Sequence, residues 1–266
     1  MTELACLNGS IAPSAETAVP VLDDGLLRGD GAFEVVRVYD GRPYALAEHL
    51  DRMTGSAAAL RLEPPFPRAE YEREARELLE ARGGTGFDGC LRLLLTRGGR
   101  RLLLTEPLPP SPDRIRLGYV TYTPTRVLDG IKSLSYAANV LCGRLARERG
   151  FDEALMVTPH GRVLEAPTAS IFWVSQAGVL CTPPLGEHIL ASITREHLMR
   201  LVDVSECPVT SEELLGAREA FLASTTREVQ PVAAVEDVEL PAPGELTERA
   251  RAAFRAHVER TLASPA

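Results

Sequence analysis

The sequence predicts a mixed fold of the α/β (α+β) class, because strand-like and helix-like segments interleave from one end to the other. Three observations carry this. "GAFEVVRVYDGRPYAL" (31–46) holds two β-rich runs around Asp40-Gly41, a strong hairpin signal. "RAEYEREARELLEARG" (68–83) reads as a helix closed by Gly83. "GIKSLSYAANVLCGRLARERGFDEALMV" (130–157) passes from helical periodicity to a short apolar strand.

In chain order, the hairpin is followed by "AEHLDRMTGSAAALRL" (47–62), which has helical periodicity, and then by the helix at 68–83. "GCLRLLLTRGG" (89–99) is a strand ending in a flexible glycine turn. The proline-rich "TEPLPPSP" (105–112) marks a boundary between two structured halves, and the strand "RIRLGYVTY" (114–122) comes next. Within 130–157, Tyr136, Val140, Leu141 and Leu145 recur at near-helical spacing and are expected to form the buried face of a helix. Gly150 breaks that helix and "EALMV" follows as a buried strand. A turn at His160-Gly161 leads to "RVLEAPTASIFWVS" (162–175) and "GVLCTPP" (178–184), then the helix "ITREHLMRLV" (193–202) and the strand "EAFLASTT" (219–226). A polar helix, "GELTERARAAFRAHVERTL" (244–262), closes the order.

The 266 residues are enough for one large domain or two modest ones. With 29 Lys and Arg against 37 Asp and Glu, the formal net charge of −8 argues against a nucleic-acid partner. No run of 18 apolar residues is present, so no membrane span is expected. The first residues lack a basic start followed by an apolar run, so no signal peptide is expected either. Cys6, Cys90, Cys142, Cys181 and Cys207 are scattered without a CxxC. They point to the reduced thiols of a cytoplasmic enzyme, with neither a metal site nor a disulfide framework.

Four stretches are polar where packing alone would not ask for polarity. Lys132 stands just before the helix that Gly150 breaks; taken alone, it reads as a solvated helix-start lysine. Glu165 leads into an apolar strand and reads equally well as solvent-facing. Ser192 and Thr194 open a helix, an N-cap by default and also a phosphate cradle. Ser224, Thr225 and Thr226 end a strand with three hydroxyls, which turns often have. Together they are the parts needed to hold pyridoxal 5′-phosphate: an amine to form the Schiff base, a carboxylate for the pyridine nitrogen, and hydroxyls with helix-start amides for the phosphate. His49 lies three residues before Arg52. His160, His188, His197 and His257 are expected on surfaces, and Trp173 in the core.

From "DDGLLRGDGAFEVVRVYDGRPYALAEHLDRM" to "STTREVQPV" the chain resembles the class IV aminotransferases, the fold-type IV family that includes D-amino acid and branched-chain aminotransferases and aminodeoxychorismate lyases. The resemblance implies a small N-terminal α/β domain (1–119) and a larger cofactor-holding C-terminal domain (120–266). It makes Lys132 in "IKSLSY" the catalytic lysine and Tyr136 a partner of the cofactor's phenolic oxygen. Glu165 in "GRVLEAPTASIF" is matched to the pyridine nitrogen. Arg52 in "EHLDRM", Ile193, Thr194 and Thr225 are matched to the phosphate. Ser170 stands where the family usually has asparagine, and Ser192 where it usually has glycine; a short polar serine suits both places.

On the substrate side the motifs look most like the D-amino acid branch, transferring an amino group between an amino acid and a 2-keto acid. An aminodeoxychorismate lyase and an L-branched-chain aminotransferase are the alternatives. Familiar members of that branch carry tyrosine at the position of Phe33, and an arginine and histidine after the "TRG" turn. This chain has "TRGGRRLLL", with Arg97, Arg100 and Arg101. Arg28 precedes "GDGAF" where many relatives are aromatic. The resemblance implies a homodimer with shared active sites, so Arg28 of one subunit with Arg100 or Arg101 of the other is expected to clamp the substrate carboxylate. Thr226 is placed with the substrate groups.

Overall fold

Residues 1–109 with 131–136 form one structural unit, and residues 110–130 with 137–266 form a second. The structure, a computed structural model, describes residues 3–62 and 67–263. The chain passes from one unit to the other at Pro109–Pro110, inside the proline-rich stretch.

The first unit is built on strands β1 (Leu4–Leu7), β2 (Ser10–Pro13), β3 (Gly31–Tyr39), β4 (Arg42–Pro43), β5 (Gly89–Thr96) and β6 (Arg101–Glu106). The short helix α1 (Asp24–Arg28) and the longer α2 (Leu46–Ala59) and α3 (Arg68–Arg82) accompany them. The strands form one antiparallel sheet in the order β2-β1-β6-β5-β3-β4. Asp40 and Gly41 turn the β3–β4 hairpin with both φ angles positive, at 46° and 75°, the geometry that gives Asp-Gly its hairpin preference. Helix α2 buries His49, Leu50, Met53, Ser56 and Ala57, a stripe at helical spacing that packs on β3. The core joins that stripe to Tyr71, Leu78, Leu91, Leu93 and Leu103.

Residues 131–136 return to this unit and lie along β3. The Phe33 amide donates to the Lys132 carbonyl at 3.1 Å, and the Leu134 amide to the Gly31 carbonyl at 2.8 Å. Gly31 is required here by close approach: a Cβ would sit 2.4 Å from the Leu95 carbonyl oxygen and 2.6 Å from Leu134 Cδ1.

The second unit contains β7 (Ile115–Thr121), α4 (Ala137–Glu148), β8 (Glu153–Val157), β9 (Ser170–Val174), β10 (Leu180–Thr182), α5 (Ile193–Leu201), β11 (Ser205–Glu206), α6 (Ser211–Leu214), β12 (Glu219–Ser224), β13 (Glu228–Val235), β14 (Val238–Glu239) and α7 (Glu245–Ala263). Its sheet runs β11-β10-β9-β12-β13-β7-β8, with β14 on β13. The β13–β7–β8 part is parallel, so its strands are buried apolar runs such as "EALMV". Trp173 belongs to the core with Ile171, Leu222 and Val232, as its sequence context predicts. Helices α5 and α7 pack on each other and on β12.

Two expectations are corrected, and the stretch 162–175 resolves into a strand with a lead-in. Helix α4 does not bury Tyr136, Val140, Leu141 and Leu145. It buries Cys142, Gly143 and Ala146, while Val140, Leu141 and Leu145 are exposed. Small residues let the helix approach β8 closely; a Cβ on Gly143 would lie 3.1 Å from Glu153 Oε1. His197 is buried and edge-on to His257 at 5.0 Å, because it lies on the α5 face that meets α7. In 162–175 only Ser170–Val174 is a regular strand. Residues 162–166 instead run beside β8 through the Met156–Glu165 and Leu164–Met156 backbone bonds, ahead of Pro167.

No described helix is long and apolar enough to cross a membrane. Ala146→Leu tests the revised α4 face: overpacking against β8 should cost about 1–3 kcal/mol in urea unfolding, whereas a solvent-facing Ala146 would leave the midpoint unchanged.

Candidate active site

Lys132 is held from two sides by its own backbone. Its carbonyl accepts from Phe33, and its amide donates to Ser56 Oγ on α2 at 3.1 Å. Its Nζ lies 4.4 Å from the centre of the Phe33 ring and 5.8 Å from that of Tyr136. The two rings meet edge-to-face at 5.3 Å, so the amine is bordered by aromatic surface. Lys132 is also the only lysine of the chain. That signal was available in the sequence, because every other side chain among the 29 Lys and Arg is a guanidinium.

The neighbouring charges are organised by a residue that sequence reasoning passed over. Glu34 on β3 is fully buried. Arg52 donates Nε to Glu34 Oε1 and Nη2 to Oε2, each at 2.7 Å, and His49 Nδ1 lies 2.7 Å from Oε2. Burial by itself would raise the Glu34 carboxyl, but the bonds from Arg52 and then His49 outweigh it and hold the group down to about 2. For His49, burial outweighs its bond to Glu34, and the nearby Arg52 and Lys132 charges act in the same direction, so its pKa falls below 6.5. The sequence signal for Glu34 was a carboxylate inside a strand of buried apolar residues, with a histidine and an arginine at i, i+3 on the next helix.

In the second unit, Glu165 is partly buried and its Oε1 accepts the Leu190 amide at 3.1 Å. That bond ties it to the loop leading into α5. Ser192 caps α5 by accepting the Arg195 amide, and the first helical bond runs from Glu196 to Ser192. The amides of Ile193 and Thr194 therefore lie ahead of the helical ladder, where an anion is favoured. Ser170 opens β9 opposite Ala223, two residues before Thr225, so these residues share one end of the sheet. Ser170 Oγ and Ser224 Oγ are buried without a hydrogen-bond partner. A buried hydroxyl left so costs about 1–3 kcal/mol, and a polar ligand would relieve it. Thr225 and Thr226 sit in the β12–β13 turn, which Arg227 anchors through Glu153 at 2.6 Å and Gln230 at 2.7 Å. An amine, a carboxylate, helix-start amides and orphaned hydroxyls are the donor set that pyridoxal 5′-phosphate requires, and the residues present fit it.

The arginines expected around a substrate carboxylate are placed differently from one another. Arg97 grips Asp30 at 2.7 Å, Arg100 grips Asp23 at 2.7 Å and Arg101 grips Glu74 at 2.7 Å. Arg28 is exposed and lies 3.6 Å from Asp24 on its own short helix. Among the described residues no group of three or more His, Cys, Asp or Glu is arranged for a metal ion.

A family model described as amino-transferase class IV matches residues 31–235. A Methanocaldococcus jannaschii protein, provisionally named a branched-chain-amino-acid aminotransferase, is 34% identical over 94% of each chain. The D-alanine aminotransferase of Bacillus licheniformis is 32% identical, covering 93% of this chain and 94% of that one. Among solved structures, a fold IV-transaminase of Curtobacterium pusillum superposes with a TM-score of 0.83 at 28% identity, over 99% of this chain and 100% of that one.

Because Glu34 is depressed in the folded protein, the stability it provides is present above pH 4.5 and is lost as the pH falls toward 2. The drop is about 3 kcal/mol. In denaturant titrations, wild type should therefore exceed Glu34→Gln by most at neutral pH, and the gap should close between pH 4.5 and 2. A gap constant across that window would show that the carboxylate is not held ionised. His49 adds an earlier loss below pH 6.5, where the unfolded chain takes up a proton that the folded chain refuses.

Proposed function

The chain belongs to the class IV aminotransferase family, and from that premise we propose a pyridoxal 5′-phosphate transaminase that moves an amino group from an amino acid, D-configured by preference, to a 2-keto acid. The observation that carries the proposal is the single lysine, pinned by its backbone between β3 and Ser56 with its amine against Phe33 and Tyr136. A guanidinium stays protonated and makes a poor nucleophile, so Lys132 is the one side-chain amine able to attach an aldehyde.

When bound, the cofactor supplies an electron sink for the pair left at Cα after deprotonation. Lys132 Nζ takes the proton from the substrate Cα and later returns it, as general base and then general acid. Arg52 would hold the phosphate, as would the amides of Ile193 and Thr194 and the hydroxyls of Thr194 and Thr225. Glu34 and His49 keep the Arg52 guanidinium in one orientation, so little rotamer freedom is lost on binding. Glu165 would keep a proton on the pyridine nitrogen, its own position fixed by the Leu190 amide. Tyr136 and Ser170 complete the polar contacts, and Phe33 excludes water beside the amine.

For the substrate carboxylate the support falls on Arg28, since Arg97, Arg100 and Arg101 are each held by a carboxylate at 2.7 Å, whereas Arg28 is exposed and lies farther, 3.6 Å, from Asp24. Thr226 remains beside it in the assignment. The D-alanine aminotransferase relative favours the D-series, and the 34% identical relative favours branched-chain L-amino acids as the second reading. Val21, Leu22, Leu26 and Leu27, all exposed, precede Arg28 in the chain and offer apolar surface suited to a second copy, and a homodimer is part of the proposal.

Borohydride reduction of the protein loaded with cofactor should leave the pyridoxyl mass on the Lys132 peptide alone. Lys132→Ala should lower turnover by about 10²–10⁴-fold. Arg28→Ala should raise KM for D-alanine by about tenfold to a hundredfold while cofactor absorbance persists; unchanged kinetics would remove Arg28 from the substrate site. Half-reactions followed by loss of visible absorbance, with D-alanine against L-leucine, decide between the two readings. Leu22→Asp with Leu26→Asp should convert a dimer to a monomer in light scattering, and a wild type that is already monomeric would end that part of the proposal.

A further inference from the structure

Cys181 on β10 and Cys207 just beyond β11 lie with their sulfurs 3.1 Å apart. The arrangement follows from the sheet. β10 and β11 run parallel with Cys181 opposite Ser205, and Cys207 comes two residues after Ser205, on the same face. The Cys207 amide donates to the Thr182 carbonyl at 2.9 Å, so the two segments are still bonded to each other where the second thiol stands. The Cys181 thiol is the donor toward the Cys207 sulfur.

The two thiols differ in access. Cys181 is buried in the core around Trp173, whereas Cys207 packs against that core and is only partly buried. Cys6, Cys90 and Cys142 are buried as well, and burial first of all pushes each of their thiols up. Of the five cysteines, the one open to solvent is thus the one that already touches another sulfur. None of the roles assigned to the active-site residues uses this pair.

We propose that Cys181 and Cys207 form a dithiol modification site that hydrogen peroxide closes to a disulfide. The Cys207 sulfur attacks the peroxide, the O–O bond breaks, and Cys207 becomes a sulfenic acid as one water leaves. The Cys181 sulfur then displaces hydroxide from Cys207. The S–S bond forms, and the Cys181 proton leaves with that hydroxide as a second water. Two thiols are oxidised and one peroxide is reduced. A disulfide needs sulfurs about 2.0 Å apart, so an approach of about 1 Å completes the geometry. Burial, and then the Cys207 neighbour, push Cys181 up to about 12, so it enters as a protonated group, and contact distance drives the second step. The bond would close a loop between positions 26 apart, containing α5 and its Ile193–Thr194 start, and would tie edge strand β11 to its neighbour.

The test is titration of the full-length protein with hydrogen peroxide, read by thiol counting and peptide mapping. Two of the five thiols should disappear together, with the intact mass lower by about 2 Da, one cross-linked peptide joining Cys181 to Cys207, and full recovery on adding dithiothreitol. Cys207→Ser should keep all its remaining thiols at the same dose, whereas Cys181→Ser should stop at sulfenic acid on Cys207 with no cross-linked peptide. Accumulation of sulfinic acid on Cys207 without a bond, a bond between other cysteines, or no thiol loss at a dose that oxidises free cysteine would each overturn the proposal. The map of the wild-type protein decides this even if a serine variant fails to fold.

Discussion

A carboxylate with no exposure to water, Glu34, sets the terms for the first unit. Taking such a charge out of water costs several kcal/mol and is offset only by well-placed partners. Here the partners are a guanidinium that meets both oxygens and an imidazole on the same helix face. His49 and Arg52 reach the carboxylate together because they stand three residues apart on α2. Sliding that helix by one residue would lose both bonds and leave a buried charge alone. The seating of α2 on β3 is therefore fixed electrostatically as well as by packing of Leu50 and Met53. Ser56, one turn beyond Arg52, receives the Lys132 amide. The interaction that neutralises Glu34 thus also places the serine that positions the lysine.

The second unit solves the same problem in loops. Its candidate ligands lie on turns and helix starts, which have little core of their own to hold them. Two of these stretches are tied down by polar bonds to their neighbours. Arg227 fixes the Thr225-Thr226 turn through Glu153 and Gln230, and Gln230 in turn bonds Ser111 and the Pro112 carbonyl. Glu165 holds the Leu190 loop that feeds α5. In this unit the polar bonds fix the turns that carry the candidate residues, and the sheet supplies the frame.

Much of this was legible in the sequence. The Asp40-Gly41 hairpin, the helix closed by Gly83 and the apolar "EALMV" strand are local signals with local causes, and they appear where expected. The α4 face was misread because apolar periodicity ranks residues by hydrophobicity, while the helix was seated by size. Gly143 and Ala146 permit a close approach to β8 that Leu145 would obstruct. His197 was misread because nothing local tells that α5 meets α7. Glu34 was passed over for a related reason. Its partners lie 15 and 18 residues away, and only their shared helix face shows that one carboxylate serves both. The engagement of Arg97, Arg100 and Arg101 with Asp30, Asp23 and Glu74 was equally non-local.

The use of cations separates structural from chemical duty. Arginine supplies every lysine-or-arginine position but one, and guanidinium suits structural work because it stays charged and meets carboxylates with a rigid fork. Arg37, Arg82, Arg92 and Arg101 each take such a carboxylate partner in the first unit. An amine loses its proton far more readily, and reactivity at carbon requires that loss. The Lys132 amine faces two aromatic rings, surfaces that attract a cation. Burial lowers the pKa of His49, so the imidazole satisfies Glu34 without adding a second positive charge beside Arg52. A second arginine in place of His49 would leave the buried carboxylate with one cation too many.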